Sequence, residues 1–214
     1  MKFYYGADRL LFKPEINKGN PSNDYGLGFY LTQNKEIARL WASQYVDGGY
    51  LIEYEVDVND LKILQLATIE DKDILTWLSI LIVHRFSLEE RNENIANIKW
   101  LEENYLLDIS GYDVIVGYRA DDSYFAYSRD FMRNELSLEL LKDAMKLGKL
   151  GTQFVLISEK AFQHIKYVKS EKVPHSDEYQ QFRNKTKHKY FKMKQEDDIN
   201  NTFLRDIMRR NNEY

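Results

Sequence analysis

Asn23-Asp24-Tyr25-Gly26-Leu27-Gly28-Phe29-Tyr30-Leu31-Thr32 is the stretch on which the fold turns. Two glycines in three residues are followed by two aromatics, an aliphatic and a β-branched residue. Glycine permits backbone angles and close approaches that a Cβ blocks. The run after it suits a short, half-buried strand. A tight polar loop therefore delivers a pair of rings onto the start of a strand. Two outcomes stay open at this level: a hairpin turn feeding a core strand, or a seat that holds a flat ring between backbone and side chains.

Working outward, Lys2 to Gly6 reads as a sheet strand running into a turn. Residues 8 to 24 carry Pro14, Gly19, Pro21 and a run of small polar residues, which is loop chemistry. After Thr32, the residues Ile37, Leu40, Trp41 and Tyr45 share one helical face that Asn34 or Thr32 can cap, and Gly48-Gly49 ends that helix. Tyr50 to Val56 alternates apolar and acidic residues, the pattern of a half-exposed antiparallel strand, and Leu61 to Leu66 is a second short one. A helix over 70 to 86 follows, then another opened by the capping box of Ser87 and Glu90 and running past Trp100. Together they form an inserted helical layer over about 70 to 107 that serves packing rather than chemistry.

Tyr112 to Gly117 is a buried strand, followed directly by Arg119-Ala120-Asp121-Asp122 and a helix to Phe131. A helix from Leu136 to Leu147 stops at Gly148. Gly151 to Ser158 is the last clear core strand, before a short helix (Glu159 to Ile165) and a strand near Lys166 to Lys169. Strands and helices mix without βαβ alternation, so the class is α+β. The expected division is a domain over 1–173 and a basic, aromatic extension over 174–214.

The 214 residues suffice for a real core, and 43% apolar with 30% charged residues is a globular balance. No cysteine is present, which removes disulfides, a thiolate nucleophile and thiolate metal sites. The net charge of −4 argues against an overall basic footprint, though not a local one. The N-terminal residues lack a signal-peptide pattern, and the apolar run from Ile74 to Val83 is too short to span a bilayer. The expectation is a cytoplasmic protein with no membrane partner.

Common catalytic templates fail. Gly26-Leu27-Gly28 lacks the third glycine and the following helix of a dinucleotide fingerprint, and no phosphate-loop or nucleophile-elbow motif occurs. The histidines 84, 164, 175 and 188 have no ligand spacing, so no metal is expected. His84 reads as a satisfied core or boundary residue on its apolar helix, and His175 and His188 fall in a solvated tail.

Three places remain: Tyr4-Tyr5-Gly6-Ala7, the Gly26 to Thr32 stretch, and Gln153-Phe154-Val155. In order and spacing these resemble the mono-ADP-ribosyltransferases of the diphtheria-toxin and poly(ADP-ribose) polymerase type. Those carry a His-Gly-Ser turn, a Gly-x-Gly-aromatic-Tyr stretch and a late catalytic glutamate. More narrowly, Asn23 to Thr32, Ala38 to Ala42, Ala120 to Asp122, Gln153 to Val155 and Arg205 to Ile207 are similar to motifs of a bacterial uncharacterised-domain family in that superfamily. The resemblance covers nearly the whole chain. It implies a split mixed and antiparallel sheet core with helical insertions, NAD as substrate, and transfer of one ADP-ribose to a nucleic acid or protein. It further implies a toxin or phage-defence role, with a cognate antitoxin as partner.

The resemblance places Tyr5, Gly6, Asp24, Gly28, Phe29 and Tyr30 on NAD. Tyr30 would stack on nicotinamide, while Phe29 faces the other way into packing. Three positions depart from the family: Tyr5 replaces histidine, Ala7 replaces serine and Gln153 replaces glutamate. Cleavage of a nicotinamide–ribose bond passes through an oxocarbenium-like state, as glycoside hydrolysis does. Gln153 can accept a hydrogen bond from a ribose hydroxyl, but it cannot act as a base or supply negative charge. Asp121 and Asp122 are the first candidates for a base, with a helix N-terminus as their structural alternative. Glu159 is the second. If Gln153 has no such role, it is a solvent-facing strand residue.

Two alternatives to the transferase remain: a catalytically silent module that binds NAD or ADP-ribose, and an NAD glycohydrolase. Lys166 to Lys194 holds nine Lys/Arg against three acids, interleaved with Tyr179, Phe182, Tyr190 and Phe191. That composition suits nucleic acid, or else a solvated tail or partner-binding arm. The face from Phe203 to Met208 is the expected strip for an antitoxin.

Overall fold

The computed structural model describes residues 1–68, 70–120, 122–145 and 151–211. Two small sheets organise it. β1 (Lys2–Ala7), β3 (Gly49–Val56) and β7 (Ile165–Val173) form an antiparallel sheet with β3 in the centre. β2 (Phe29–Leu31), β6 (Thr152–Leu156), β5 (Val114–Tyr118) and β4 (Ile63–Gln65) form the second, in that order, with β4 parallel to β5 and the other pairs antiparallel. A single bridge joins the sheets among the described residues: Tyr4 N–H donates to Thr32 O at 2.7 Å and Thr32 N–H to Tyr4 O at 3.0 Å.

Strand alternation sorts side chains into two cores. Phe3, Phe29, Leu31, Ile52, Tyr54, Phe154 and Leu156 fill the space between the sheets, where the Phe3 and Phe154 rings stack at 4.2 Å. The opposite faces meet the helices. α1 (Lys35–Ser43) packs on β1 and β3, and Asn34 caps it by accepting from the backbone of Glu36 and Ile37. Gly6 lets β1 approach this helix, since a Cβ there would stand 2.2 Å from Ala38 O. α2 (Asp71–Arg85) and α4 (Ile95–Tyr105) pack on each other, joined by α3 (Leu88–Glu93), whose Ser87–Glu90 capping box forms. α5 (Asp122–Met132), α6 (Leu138–Ala144) and α7 (Glu159–Gln163) complete the body, followed by α8 (Glu178–Gln195) and α9 (Leu204–Asn211).

The architecture is thus mixed α+β with one antiparallel and one mixed sheet. Several local expectations need correcting. β2 is no hairpin arm, because its partner β6 lies far along the chain. β3 is not half-exposed: as the central strand it buries Glu53, held by Lys2 at 3.1 Å and Lys169 at 3.6 Å. The helix from Ser87 past Trp100 breaks at Asn94. The helix expected from Leu136 starts at Leu138, capped by Ser137, and its expected end at Gly148 lies outside the described residues.

The C-terminal segment is no solvated arm either. α8 buries Tyr179, Thr186 and Tyr190 and packs on α1, α5 and α6. Tyr190 packs against Tyr127, the tilted rings 3.8 Å apart between centroids, and donates its hydroxyl to Asp130 at 2.5 Å. In the expected antitoxin strip, Phe203 and Leu204 are buried, while Ile207 and Met208 pack against the main core and stay partly exposed. Among the described residues no helix is long and apolar enough to cross a membrane.

Candidate functional site

The site begins with a loop that its own strand clamps. Gly26 adopts φ +71°, and a Cβ on it would stand 2.6 Å from the His84 ring, so both angle and space demand glycine. The Tyr30 hydroxyl donates to Gly26 O at 2.6 Å and accepts from Tyr25 N–H at 3.1 Å. A phenol thus ties the turn to β2 and fixes its own ring. Tyr25 is buried and donates to Tyr118 O at 2.9 Å, fastening the same loop to the end of β5.

Asp24 is the hub of what lies beneath. Its Oδ1 accepts from Arg85 Nη1 at 2.8 Å. Its Oδ2 accepts from Ala120 N–H at 2.8 Å and Gln153 Nε2 at 2.7 Å. Arg85 also donates to Ala120 O and lies 4.7 Å from the Phe125 ring. Both partners of the Gln153 amide nitrogen, Asp24 and Tyr118 O at 3.4 Å, are acceptors. The amide can therefore satisfy them only with its NH2 group. Its Oε1 accepts from none of the described residues and is the end left for a ligand.

Above this floor opens a cleft of about 1000 Å³, the upper end of the range for small-molecule and cofactor sites. Tyr5, Gly6, Gly28, Phe29, Tyr30, Asp24 and Gln153 all line it. Tyr5 and Phe29 touch at 4.7 Å between centroids on the inter-sheet side, and the Phe29 ring also packs on Tyr54 and Phe162. Tyr30 packs on the helical side. The cleft reaches both sides, beside the Tyr4–Thr32 bridge that joins the sheets.

Cations gather along the walls. Arg9 and Lys18 come from the loop, Arg119 from the end of β5, and Arg183 with Tyr179 from α8. The Arg119 guanidinium lies 3.7 Å from the centroid of the Trp41 ring, which holds a planar donor fork in place.

Burial pushes the Tyr5 and Tyr30 phenols above their ordinary range and pulls the His84 imidazole below its own. At neutral pH all three are uncharged hydrogen-bonding groups. Among the described residues, the carboxylates lining the cleft are Asp8, Glu15 and Asp24, and the last is engaged by three donors.

Asp121 lies outside the described residues, as does the side chain of Asp122, which opens α5. Glu159 is exposed in the first turn of α7 and does not line the cleft. Gln153 is 5% exposed, so it is not a solvent-facing residue. Sequence reading missed Arg85, Arg119 and Asp8. The inserted layer was assigned to packing, yet Arg85 at the end of α2 carries the carboxylate floor. The available signal was a lone arginine closing an otherwise apolar helix.

Such a site can hold a flat ring along Tyr30, accept one hydroxyl at Gln153 Oε1 and neutralise anionic oxygens at the arginines. Among the described residues no group of acidic or histidine side chains could hold a metal ion. One family, described as "Protein of unknown function (DUF3990)", matches residues 1–167. No curated protein and no solved structure matches the chain.

Proposed function

The chain belongs to that family, and on the cleft just described we propose that it is an NAD-dependent mono-ADP-ribosyltransferase acting on a macromolecule. One observation carries the reading. Tyr5 and Gly6, Gly28 to Tyr30, and Gln153 come from three distant segments, and all line one cleft large enough for a dinucleotide. On this reading the two sheets are the split core of the ADP-ribosyltransferase fold. The protein works as a cytoplasmic toxin or phage-defence effector held in check by an antitoxin.

The roles follow from the geometry. The Tyr30 ring, fixed by its hydroxyl, supports the pyridine. Gln153 Oε1 accepts the hydroxyl next to the reacting carbon, C1″. Arg119 and Arg9 hold the pyrophosphate oxygens. The nicotinamide–ribose bond breaks with its electron pair leaving on the pyridine nitrogen. A lone pair of the acceptor then closes on C1″, and the acceptor's proton passes to a carboxylate or to water. Gln153 cannot take that proton. Asp8, at the end of β1 and lining the cleft, joins Asp121 and Asp122 as a candidate base.

Incubation with NAD labelled in its adenylate half tests the proposal. Label in RNA, DNA or protein from a cell extract is expected, with loss in Tyr30→Ala and Gln153→Ala. Free ADP-ribose without labelled polymer would instead mark a glycohydrolase.

A second reading, NAD or ADP-ribose binding without turnover, has its own support: the glutamate position is an amide, and Asp24 beneath it is fully engaged. Calorimetric binding of NAD with no nicotinamide release would select it.

A further inference from the structure

We propose that α8 is the docking surface for a single-stranded nucleic acid whose end enters the cleft. As the choice of acceptor this rests on the transferase reading; as a binding surface it stands alone. α8 carries six Lys/Arg against one acid, Glu178 in its first turn, within a chain of 30 basic and 34 acidic residues. The remainder of the protein is strongly acidic, so the helix is a local reversal of sign.

The charge is also ordered. Tyr179 and Arg183 line the cleft, and steps of four residues continue through Lys187 to Phe191. Residues four apart lie on one helical face, so a single stripe leaves the cleft and runs about 18 Å along the helix. A ring stands at each end of it with two cations between, Arg183 5.8 Å from the Tyr179 ring and Lys187 5.8 Å from the Phe191 ring. Phe191 is 52% exposed. Lys185, Lys189 and Lys192 are exposed on the other flank of the helix, so cations border its solvent face from both sides. Lys194 belongs elsewhere, tied to Asp130 and Glu135.

Like charges four apart destabilise a helix, and exposed acids that could relieve them are missing from this part of α8. A spaced polyanion supplies the relief. Single-stranded nucleic acid fits best: phosphates meet the lysines, and unpaired bases stack on exposed rings. A duplex hides those base faces, and a membrane calls for a broad apolar face where this helix exposes one ring.

The test uses the full chain with short fluorescein-labelled single-stranded RNA and DNA, the matching duplexes, and vesicles of phosphatidylserine and phosphatidylcholine. Anisotropy across a salt series is compared for wild type, Lys185→Glu/Lys189→Glu/Lys192→Glu and Phe191→Ala, each checked for an unchanged melting curve. Wild type should favour single strands. The triple variant should bind at least about tenfold more weakly, with a salt slope shallower by about 2, since each phosphate contact on a single strand adds about 0.7. Phe191→Ala should lose about tenfold.

Equal binding by the triple variant, preference for duplex or vesicles, or no oligonucleotide binding would overturn the proposal. NAD binding, measured separately by calorimetry, should be unchanged in the triple variant. Its absence from wild type would sink the transferase reading while leaving the α8 surface standing.

Discussion

Two acidic side chains are almost equally buried, Asp24 at 5% and Glu53 at 6%, yet they live in different settings. Glu53 sits in the middle strand of the first sheet and is answered by lysines whose side chains are about two-thirds exposed. Its partners reach in from water and can be replaced by water. Asp24 is answered from inside, by an arginine only 19% exposed, a backbone amide and the amide of Gln153. The first arrangement tolerates a carboxylate. The second depends on one, because three chain segments are positioned by its two oxygens. A buried charge that organises its surroundings is costly to leave unpaired, whereas a pair facing solvent contributes little.

The contrast can be broken by removing partners. Arg85→Ala strands Asp24 and should cost about 3 kcal/mol in urea unfolding; a loss no greater than that of Lys2→Ala would erase the distinction. Next comes Gln153→Glu, which exchanges the amide for a carboxylate of the same length. It sets a second carboxylate where 2.7 Å separates Gln153 from Asp24. One of the two must then hold a proton at neutral pH. The expected cost is about 2 kcal/mol at pH 7, shrinking as the pH falls, because a raised carboxyl pKa destabilises only where the unfolded state is ionised. Adding Asp24→Asn should recover most of it in a double-mutant cycle.

Tyr30→Phe comes third. It deletes two hydrogen bonds of the turn while keeping the ring, for about 1 kcal/mol, and NAD binding should survive. The smallest effect belongs to Glu53→Gln, about 2 °C or less in melting temperature. Its pH signature runs in the same direction as that of Gln153→Glu, since both costs fade in acid, but it is smaller. The hydrogen bond from Lys2 holds the Glu53 carboxyl below its ordinary range. Its contribution is therefore present above pH about 4.3 and lost as the pH falls below that. A wild-type acid-unfolding curve unchanged by Glu53→Gln would remove this residue from the account.

Legibility in the sequence followed locality. The Gly26 to Thr32 stretch, the Asn34 cap, the Ser87–Glu90 box and most elements could be read because each depends on neighbours a few residues away. The burial of Glu53 could not, since alternation marks a face but does not say whether β7 will cover its flank. Nor could the break at Asn94, which interrupts an otherwise acceptable helical pattern. In the cleft, aromatic and glycine positions were readable from local chemistry and a family resemblance. The Asp24–Arg85 pair was not, because its partners are 61 residues apart and helix periodicity treats a terminal arginine as a match for the dipole.

Tyr190 gives α8 a consequence at a distance. The helix presents Tyr179 and Arg183 at the mouth of the cleft, but it is pinned three turns further on, where the phenol is socketed against Tyr127 and Asp130. It behaves as a beam held at both ends, by the buried Tyr179 and the α1 contact near the mouth and by this far joint, which no occupant of the cleft would touch. A ligand that prised Tyr190 from its socket would free the far end of the helix and disturb its cationic surface without entering the cleft. Tyr190→Ala would imitate it, with oligonucleotide affinity falling while the Asp24 floor stays intact.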